Sequence, residues 1–307
     1  MKVATIGFFD GVHKGHQFLI RQVVEEAERV GGTSVCVTFD IPPRCVVEQM
    51  KGREFSIQLL TTQDEKVMLL KRMGIQEVML LKFTPEMAMM SAYDFMAQVL
   101  KRQMDVGVLV IGYDHRFGHN RSEGFNDYVR YGEELGIRIV QAQAYAEDHI
   151  TVSSSLIRET LLQGRVADCR QLLGYNYFIE GVVVNGYQVG RRIGYPTANI
   201  EVPAEKLIPC DGVYAVKVEL RDKAFEAGGE IDGMLNIGWR PTFNGSRRTI
   251  EVHLFDFHSD IYSEQLRIHF IDFIRPEQRF DSPEALVCQL AEDEKQAREV
   301  LQTKGKS

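Results

Sequence analysis

Two histidines separated by two residues mark the first place where this sequence could do chemistry. The run Ile6-Gly7-Phe8-Phe9-Asp10-Gly11-Val12-His13-Lys14-Gly15-His16 lies where an apolar strand signal gives way to a helical one. The carboxyl end of a parallel strand is where open α/β sheets bind ligands. A helix N-terminus there offers free N–H groups and a positive dipole end to a phosphate. Gly11 and Gly15 let the backbone approach closely. His13 and His16 can donate hydrogen bonds to phosphate oxygens and stabilise charge that builds at a phosphorus under in-line attack. Two bland alternatives stand beside this one. The pair could be surface histidines next to a glycine turn, or a two-histidine metal site. The metal reading lacks nearby cysteine and the usual i, i+4 helical spacing.

Four further segments carry candidate groups. At 151–158, three serines precede an apolar-periodic helix, with Arg158 one turn in. Serines there cap helices as ordinary structure; with helix N–H groups and a guanidinium they also make a polyphosphate cradle. Segment 111–121 follows a buried strand and mixes Tyr113 and Phe117 with Asp114, Asn120 and Arg121. It could wall a flat heterocycle or be a plain polar loop. At 190–199, Gly190 and Gly194 bracket Arg191 and Arg192, and Pro196-Thr197-Ala198-Asn199 follows. Thr197 and Asn199, spaced i, i+2, share one face of an extended segment, and oxygen donors near phosphates suit Mg²⁺. The alternative is a turn with solvated charges; there is no Walker A loop. Glu251 lies on an alternating strand, sharing a face with His253 and Phe255. It is either a general base for a hydroxyl or a solvent-facing carboxylate.

The elements around these groups fall into two halves. A length of 307 residues suggests two domains at roughly 150 residues each. Up to about residue 175, strand and helix signals alternate: strands at 3–9, 34–39, 78–81, 106–111 and 137–140. Helices follow each, one opened by a Thr62/Glu65 capping box, one by Ser91, one near 123–135. That is an α/β domain with helices covering a parallel sheet. From about 178, short β-rich runs at 181–184, 213–220, 233–237, 250–257 and 266–273 are separated by turn residues, which predicts a small antiparallel barrel or sandwich. A closing helix spans 282–301, with Ser282 as N-cap and Pro283 at N1.

Composition narrows the function classes. A net charge of −7 argues against duplex DNA or RNA as the main partner. No apolar run approaches the ~18 residues of a membrane helix, and the N-terminus turns polar too early for a signal peptide. Five scattered cysteines without C-x-x-C argue against a disulfide framework and fit a cytoplasmic protein.

Together these residues resemble the bacterial bifunctional riboflavin kinase/FAD synthetase family over essentially the whole chain. The resemblance rests on segments 7–16, 60–66, 112–121 and 153–158 in the first half. In the second it rests on Gly190-Arg191, Gly194, Pro196-Thr197-Ala198-Asn199, 212–214, 236–242, Glu251-Val252-His253, Arg275 and 278–280. The H-x-G-H element is shared by many nucleotidylyltransferases; P-T-A-N followed by E-V-H is more specific to flavokinases. The chain departs from the family in Ser155 where threonine is common, in 185–189, which is less glycine-rich, and in His115 and His119. The resemblance implies a Rossmann-like nucleotidylyltransferase domain at 1–175 and a β-barrel riboflavin kinase domain at 176–307 with a C-terminal helix. It implies that Mg·ATP phosphorylates riboflavin to FMN, and that a second ATP adenylylates FMN to FAD and pyrophosphate. Glu251, His13 and His16 would be catalytic. Gly7, Phe8, Asp10, Gly15, Ser154, Ser155, Arg158, Gly190, Arg191, Gly194, Thr197 and Asn199 would bind ATP or its phosphates, with Thr197 and Asn199 also holding Mg²⁺. Tyr113, Asp114, Phe117, Asn120 and Arg121 would bind flavin. Two rivals remain. A nucleotidylyltransferase for another phosphate leaves Glu251 without a task, and a flavin-binding module with decayed sites does not need these groups intact.

Overall fold

The computed structural model describes residues 1–113, 115–119, 121–145, 152–185, 190, 193–221, 229–242 and 245–304, with the side chains of 240–242 and 245–247 left aside. The chain divides into two compact units, Met1–Ser154 and Ser155–Ser307.

In the first unit five parallel strands, β1 (Lys2–Ile6), β2 (Thr33–Phe39), β3 (Glu77–Leu81), β4 (Val106–Ile111) and β5 (Arg138–Gln141), form one sheet in the order β3-β2-β1-β4-β5. The α/β expectation holds. The order reverses between β1 and β4, and a doubly wound sheet opens its ligand crevice at the carboxyl ends of the two strands at such a switch. The loops after these strands are 7–13 and 112–124, so the first histidine motif and the aromatic–polar loop start side by side.

Amphipathic periodicity accounts for the helices. Helix α1 (Lys14–Arg29) buries Ile20, Val23 and Ala27 and is followed by Gly31 at φ +62°. Two helices lie between β2 and β3, α2 (Pro43–Met50) and α3 (Gln63–Arg72), and α3 starts with the expected capping box. Helix α4 (Pro85–Ala88) precedes α5 (Ala92–Asp94), which Ser91 caps and which continues as a π-helical run, Phe95–Gln103. Helix α6 (Phe125–Leu135) starts two residues later than its sequence signal, at Gly124 as N-cap. Phe95, Met96, Val99 and Leu100 pack with Tyr128 on Ala4, Ile6, Val35, Val37, Leu109 and Ile111 of the sheet. Strand β1 stops at Ile6 rather than Phe9. Phe9 takes a left-handed φ of 54° and is only 3% exposed, so its apolarity plugs the turn instead of extending the strand.

The second unit is a closed antiparallel barrel. Its strands are β6 (Phe178–Val184), β7 (Ala198–Glu201), β8 (Gly212–Leu220), β9 (Ile231–Thr242), β10 (Gly245–Leu254) and β11 (Gln265–Arg275), in the ring β10-β7-β6-β11-β8-β9. The barrel, not the sandwich, is what forms. Its closure depends on a four-residue strand: Asn199 of β7 pairs with Val184 of β6 and with Glu251 of β10. Helices α7 (Ser154–Leu162) and α8 (Val166–Leu173) precede the barrel, and α8 packs on β11. The C-terminal helix, Pro283–Lys304, is capped by the Ser282 hydroxyl, which accepts from Ala285 N at 3.2 Å. It lays Ala297 and Leu301 on Ala215, Met234 and Ile271, and its buried Asp293 takes a two-pronged ion pair from Arg275 at 2.8 and 2.7 Å.

Candidate functional site

Each unit gathers one of the two constellations. In the first, His13 is the N-cap of α1, and its Nδ1 accepts from His16 N at 3.4 Å. With Nδ1 accepting, the neutral ring carries its proton on Nε2, free to donate outward. The His16 ring stacks on it at a centroid distance of 3.6 Å, and Phe9 meets His16 edge-on at 5.2 Å. Burial pulls His13 down from 6.5 to about 4 and His16 well below 6.5, with His13 and His115 adding repulsion at His16. Both imidazoles are therefore neutral hydrogen-bonding groups near pH 7. His16 Nδ1 is buried with no hydrogen-bond partner among the described residues. Buried polar atoms are nearly always bonded, and Thr5 Oγ1 shares this exception. Gly15 leaves room for the pair: a Cβ there would sit 3.3 Å from the His13 ring.

Asp10 holds the turn together. Its carboxylate accepts from Leu60 N at 3.2 Å and from Thr61 N at 3.1 Å, while Thr61 Oγ1 accepts from Gly11 N at 3.1 Å. Ser154 Oγ donates to the Asp10 carbonyl at 2.9 Å, so a serine 144 positions away is brought to the first motif. Ser155 and Arg158 lie on α7 in the second unit. Phe8, half-buried, faces a residue that sequence reasoning gave no role. Lys66 is 3% exposed, donates from Nζ to the Phe39 carbonyl at 2.9 Å, and sits 4.3 Å from the Phe8 ring centroid. Burial lowers its pKa to about 8, opposed by Asp10, Cys36 and Asp40. The signal was its place directly after the capping-box glutamate, but a lone helical lysine reads as solvated.

The loop after β4 divides its residues. A cavity of about 260 Å³ is lined by Gly112, Tyr113, His115, Arg116, Phe125 and Gln141, among others. Tyr113 is 65% exposed. Phe117 is buried; it stacks on Tyr128 at 4.5 Å and its N–H donates to the Tyr128 hydroxyl. Arg121 is exposed at φ 48°. His119 anchors the loop, its N–H donating to Met90 O at 2.8 Å. Asp114 and Asn120 lie outside the described residues, as do Arg191 and Arg192 of the later loop.

In the barrel, Ile250, Val252 and Leu254 are buried while Glu251 and His253 are half-buried on the opposite face of β10. The Thr197 hydroxyl lies 3.4 Å from Glu251 Oε2, and the Thr249 hydroxyl 3.4 Å from Oε1. Thr249 had not been singled out, although its i, i+2 spacing from Glu251 puts the two on one face. Register places Asn199 beside Glu251 on one side and Asn236 on the other. The preceding turn is tight: Tyr195 N donates to Gly190 O at 2.9 Å, a Cβ on Gly190 would come within 2.1 Å of Tyr195 O, and Gly194 takes φ +89°. A cavity of about 90 Å³ beside Thr197 is lined also by Ala198, Val252, Leu254, Ile261 and Tyr262. A hydroxyl and a carboxylate meet here, with Asn199 next to Glu251 in the backbone register; oxygen donors are the kind Mg²⁺ prefers.

A parallel sheet with paired histidines at its switch point, joined to a closed barrel with a carboxylate among hydroxyls, defines a two-part phosphate-transfer enzyme. The FAD synthetase family model matches residues 1–156 and the riboflavin kinase model residues 173–301. A bifunctional riboflavin kinase/FMN adenylyltransferase from Listeria monocytogenes is 36% identical over 97% of this chain and 91% of its own. The protein so described from Escherichia coli is 35% identical over 97% and 92%. A crystal structure described as a macrolide-efflux protein from Streptococcus pneumoniae matches with TM-score 0.85 and 32% identity, covering 97% of this chain and 94% of that one. Among the described residues no helix is long and apolar enough to cross a membrane. The chain belongs to the bifunctional riboflavin kinase/FMN adenylyltransferase family, its FAD synthetase region preceding its riboflavin kinase region.

Proposed function

We propose that residues 176–307 phosphorylate riboflavin and residues 1–175 adenylylate the resulting FMN, with the residue roles that follow. In the kinase reaction Glu251 takes the proton of the ribityl 5′-hydroxyl. The oxygen attacks the γ-phosphorus of ATP, and the bond to the β–γ bridging oxygen breaks to release ADP. The observation that carries this reading is the Thr197 hydroxyl 3.4 Å from Glu251, across 54 residues of sequence. Thr197 and Asn199 would hold Mg²⁺, which neutralises phosphate charge when bound. Gly190, Arg191 and Gly194 form the loop over the phosphates.

In the adenylyl transfer an FMN phosphate oxygen attacks the α-phosphorus of ATP and pyrophosphate leaves. His13 and His16 donate to oxygens that gain charge. Gly7, Phe8, Asp10 and Gly15 shape the turn, and Ser154, Ser155 and Arg158 hold the triphosphate. Tyr113, Asp114, Phe117, Asn120 and Arg121 form the flavin loop. Five cysteines, all free, support a reducing, cytoplasmic setting. Incubation with riboflavin, ATP and Mg²⁺ followed by chromatography tests the whole reading. Both FMN and FAD are expected. FAD from added FMN but none from riboflavin would remove the barrel's role.

A further inference from the structure

Strand β7 begins at Ala198, and its ladder with β10 consists of Glu251 opposite Asn199 and Val252 opposite Ala198. Thr197 and Pro196 lie just beyond the end of that ladder. Proline has no N–H to extend it. At this point a side chain takes over from the backbone: His253 Nδ1 is 2.7 Å from the Pro196 carbonyl oxygen. A carbonyl only accepts, so Nδ1 carries the proton and donates. The same ring meets Tyr195 edge-on at 5.3 Å and Phe255 at 5.8 Å. Tyr195 in turn packs against the apolar cluster that Ala297 and Leu301 of the C-terminal helix complete.

Thr197 is thereby held from both sides, by the ladder at Ala198 and by the imidazole at Pro196. Its hydroxyl needs that restraint, because it lies 3.4 Å from Glu251 at a strand end, where chains otherwise fray. We propose that His253 is a positioning residue of the riboflavin kinase site. Its Nδ1–H fixes the Pro196-Thr197 segment, and with it the oxygen donors for Mg²⁺ and the ATP phosphates. The inference rests on the roles given to Thr197 and Glu251. His253 touches neither substrate nor metal; it acts through the Pro196 carbonyl.

The test uses the full-length enzyme and two variants of similar size. His253→Leu removes the donor. His253→Asn keeps an N–H close to where Nδ1 sits. Supporting shells around metal ligands are commonly worth about 10–100-fold in affinity or activity. His253→Leu is expected to raise the KM for Mg·ATP in riboflavin phosphorylation by about 10–100-fold, with FMN adenylylation unchanged. Calorimetry should show the same weakening in Mg·ADP binding. His253→Asn should recover most of both. A histidine that only packs would give equal defects in Leu and Asn, because both lose the ring, and that result overturns the proposal. So does a His253→Leu enzyme with normal KM and normal Mg·ADP binding. Should the leucine variant fail to fold by circular dichroism, His253→Asn decides alone: near-normal Mg·ADP binding supports the donor, and weak binding overturns it. Glu251→Gln separates the two layers of the argument. A fully active Glu251→Gln enzyme removes the underlying roles, whereas an inactive one beside a normal His253→Leu removes only this inference.

Discussion

The two sites solve related problems with opposite electrostatics. The first sets two neutral imidazoles, His13 buried and His16 half-buried, at a sheet switch point, and its nearby carboxylate, Asp10, is committed to the backbone of Leu60 and Thr61. The second sets a carboxylate, Glu251, between two hydroxyls on a barrel wall. On the proposed roles, the nucleophiles explain the difference. A phosphate monoester is already an anion near pH 7 and needs donors to absorb charge in the transition state, not a base. A sugar-alcohol hydroxyl is neutral and needs a base.

This contrast breaks first at Glu251. Glu251→Gln should cut riboflavin phosphorylation by about 10²–10⁴-fold and leave adenylylation of added FMN near wild type. Steady-state rates at saturating Mg·ATP check this, and a kcat within about twofold of wild type sinks the base role. Next comes His16→Ala, which should lower FAD formation by about 10²–10³-fold while FMN formation continues. Loss of both activities would instead indicate misfolding, visible by circular dichroism.

Smaller effects sharpen the account of how each site is held. Asp10→Ala leaves the buried N–H groups of Leu60 and Thr61 unsatisfied, and should cost about 3 kcal/mol in the stability of the first unit. Denaturant titration measures it. The pH dependence follows from His13, whose folded pKa of about 4 lies below its unfolded value of 6.5. Between those values the unfolded chain holds a proton that the folded chain refuses. Stability is therefore lost as pH falls through 6.5 toward 4 and levels off below. His13→Asn, which keeps an N-cap, should reduce that slope in melting curves, His16 supplying the rest; an unchanged slope would assign it elsewhere.

Much of this was readable from the sequence, for definite reasons. Period-3.6 and period-2 patterns report burial, and burial is what fixed β2, β4, α1 and β8. The histidine, P-T-A-N and E-V-H segments are local and therefore visible. What escaped depended on distant partners. Phe8-Phe9 looks like strand, yet Phe9 turns because it has a hole to fill beneath His16. Strand β7 is four residues long and follows Pro196, so nothing local marks it as the piece that closes the barrel. Lys66 is buried only because Phe39 and Phe8 surround it. The stack of Phe117 on Tyr128, eleven residues on, has no local sequence signal. Cutting the chain at 154/155 or at 175 would show which activity α7 and α8 serve.

The central claim is that the chain holds two separable sites, one for an anionic and one for a neutral nucleophile. Complementation tests it most directly. Glu251→Gln and His16→Ala enzymes are mixed in equal amounts with riboflavin, ATP and Mg²⁺, and flavins are followed by chromatography. Neither variant alone should yield appreciable FAD. The mixture should, as FMN made by the His16→Ala enzyme is adenylylated by the Glu251→Gln enzyme. FMN that accumulates in the mixture without conversion to FAD would contradict the account.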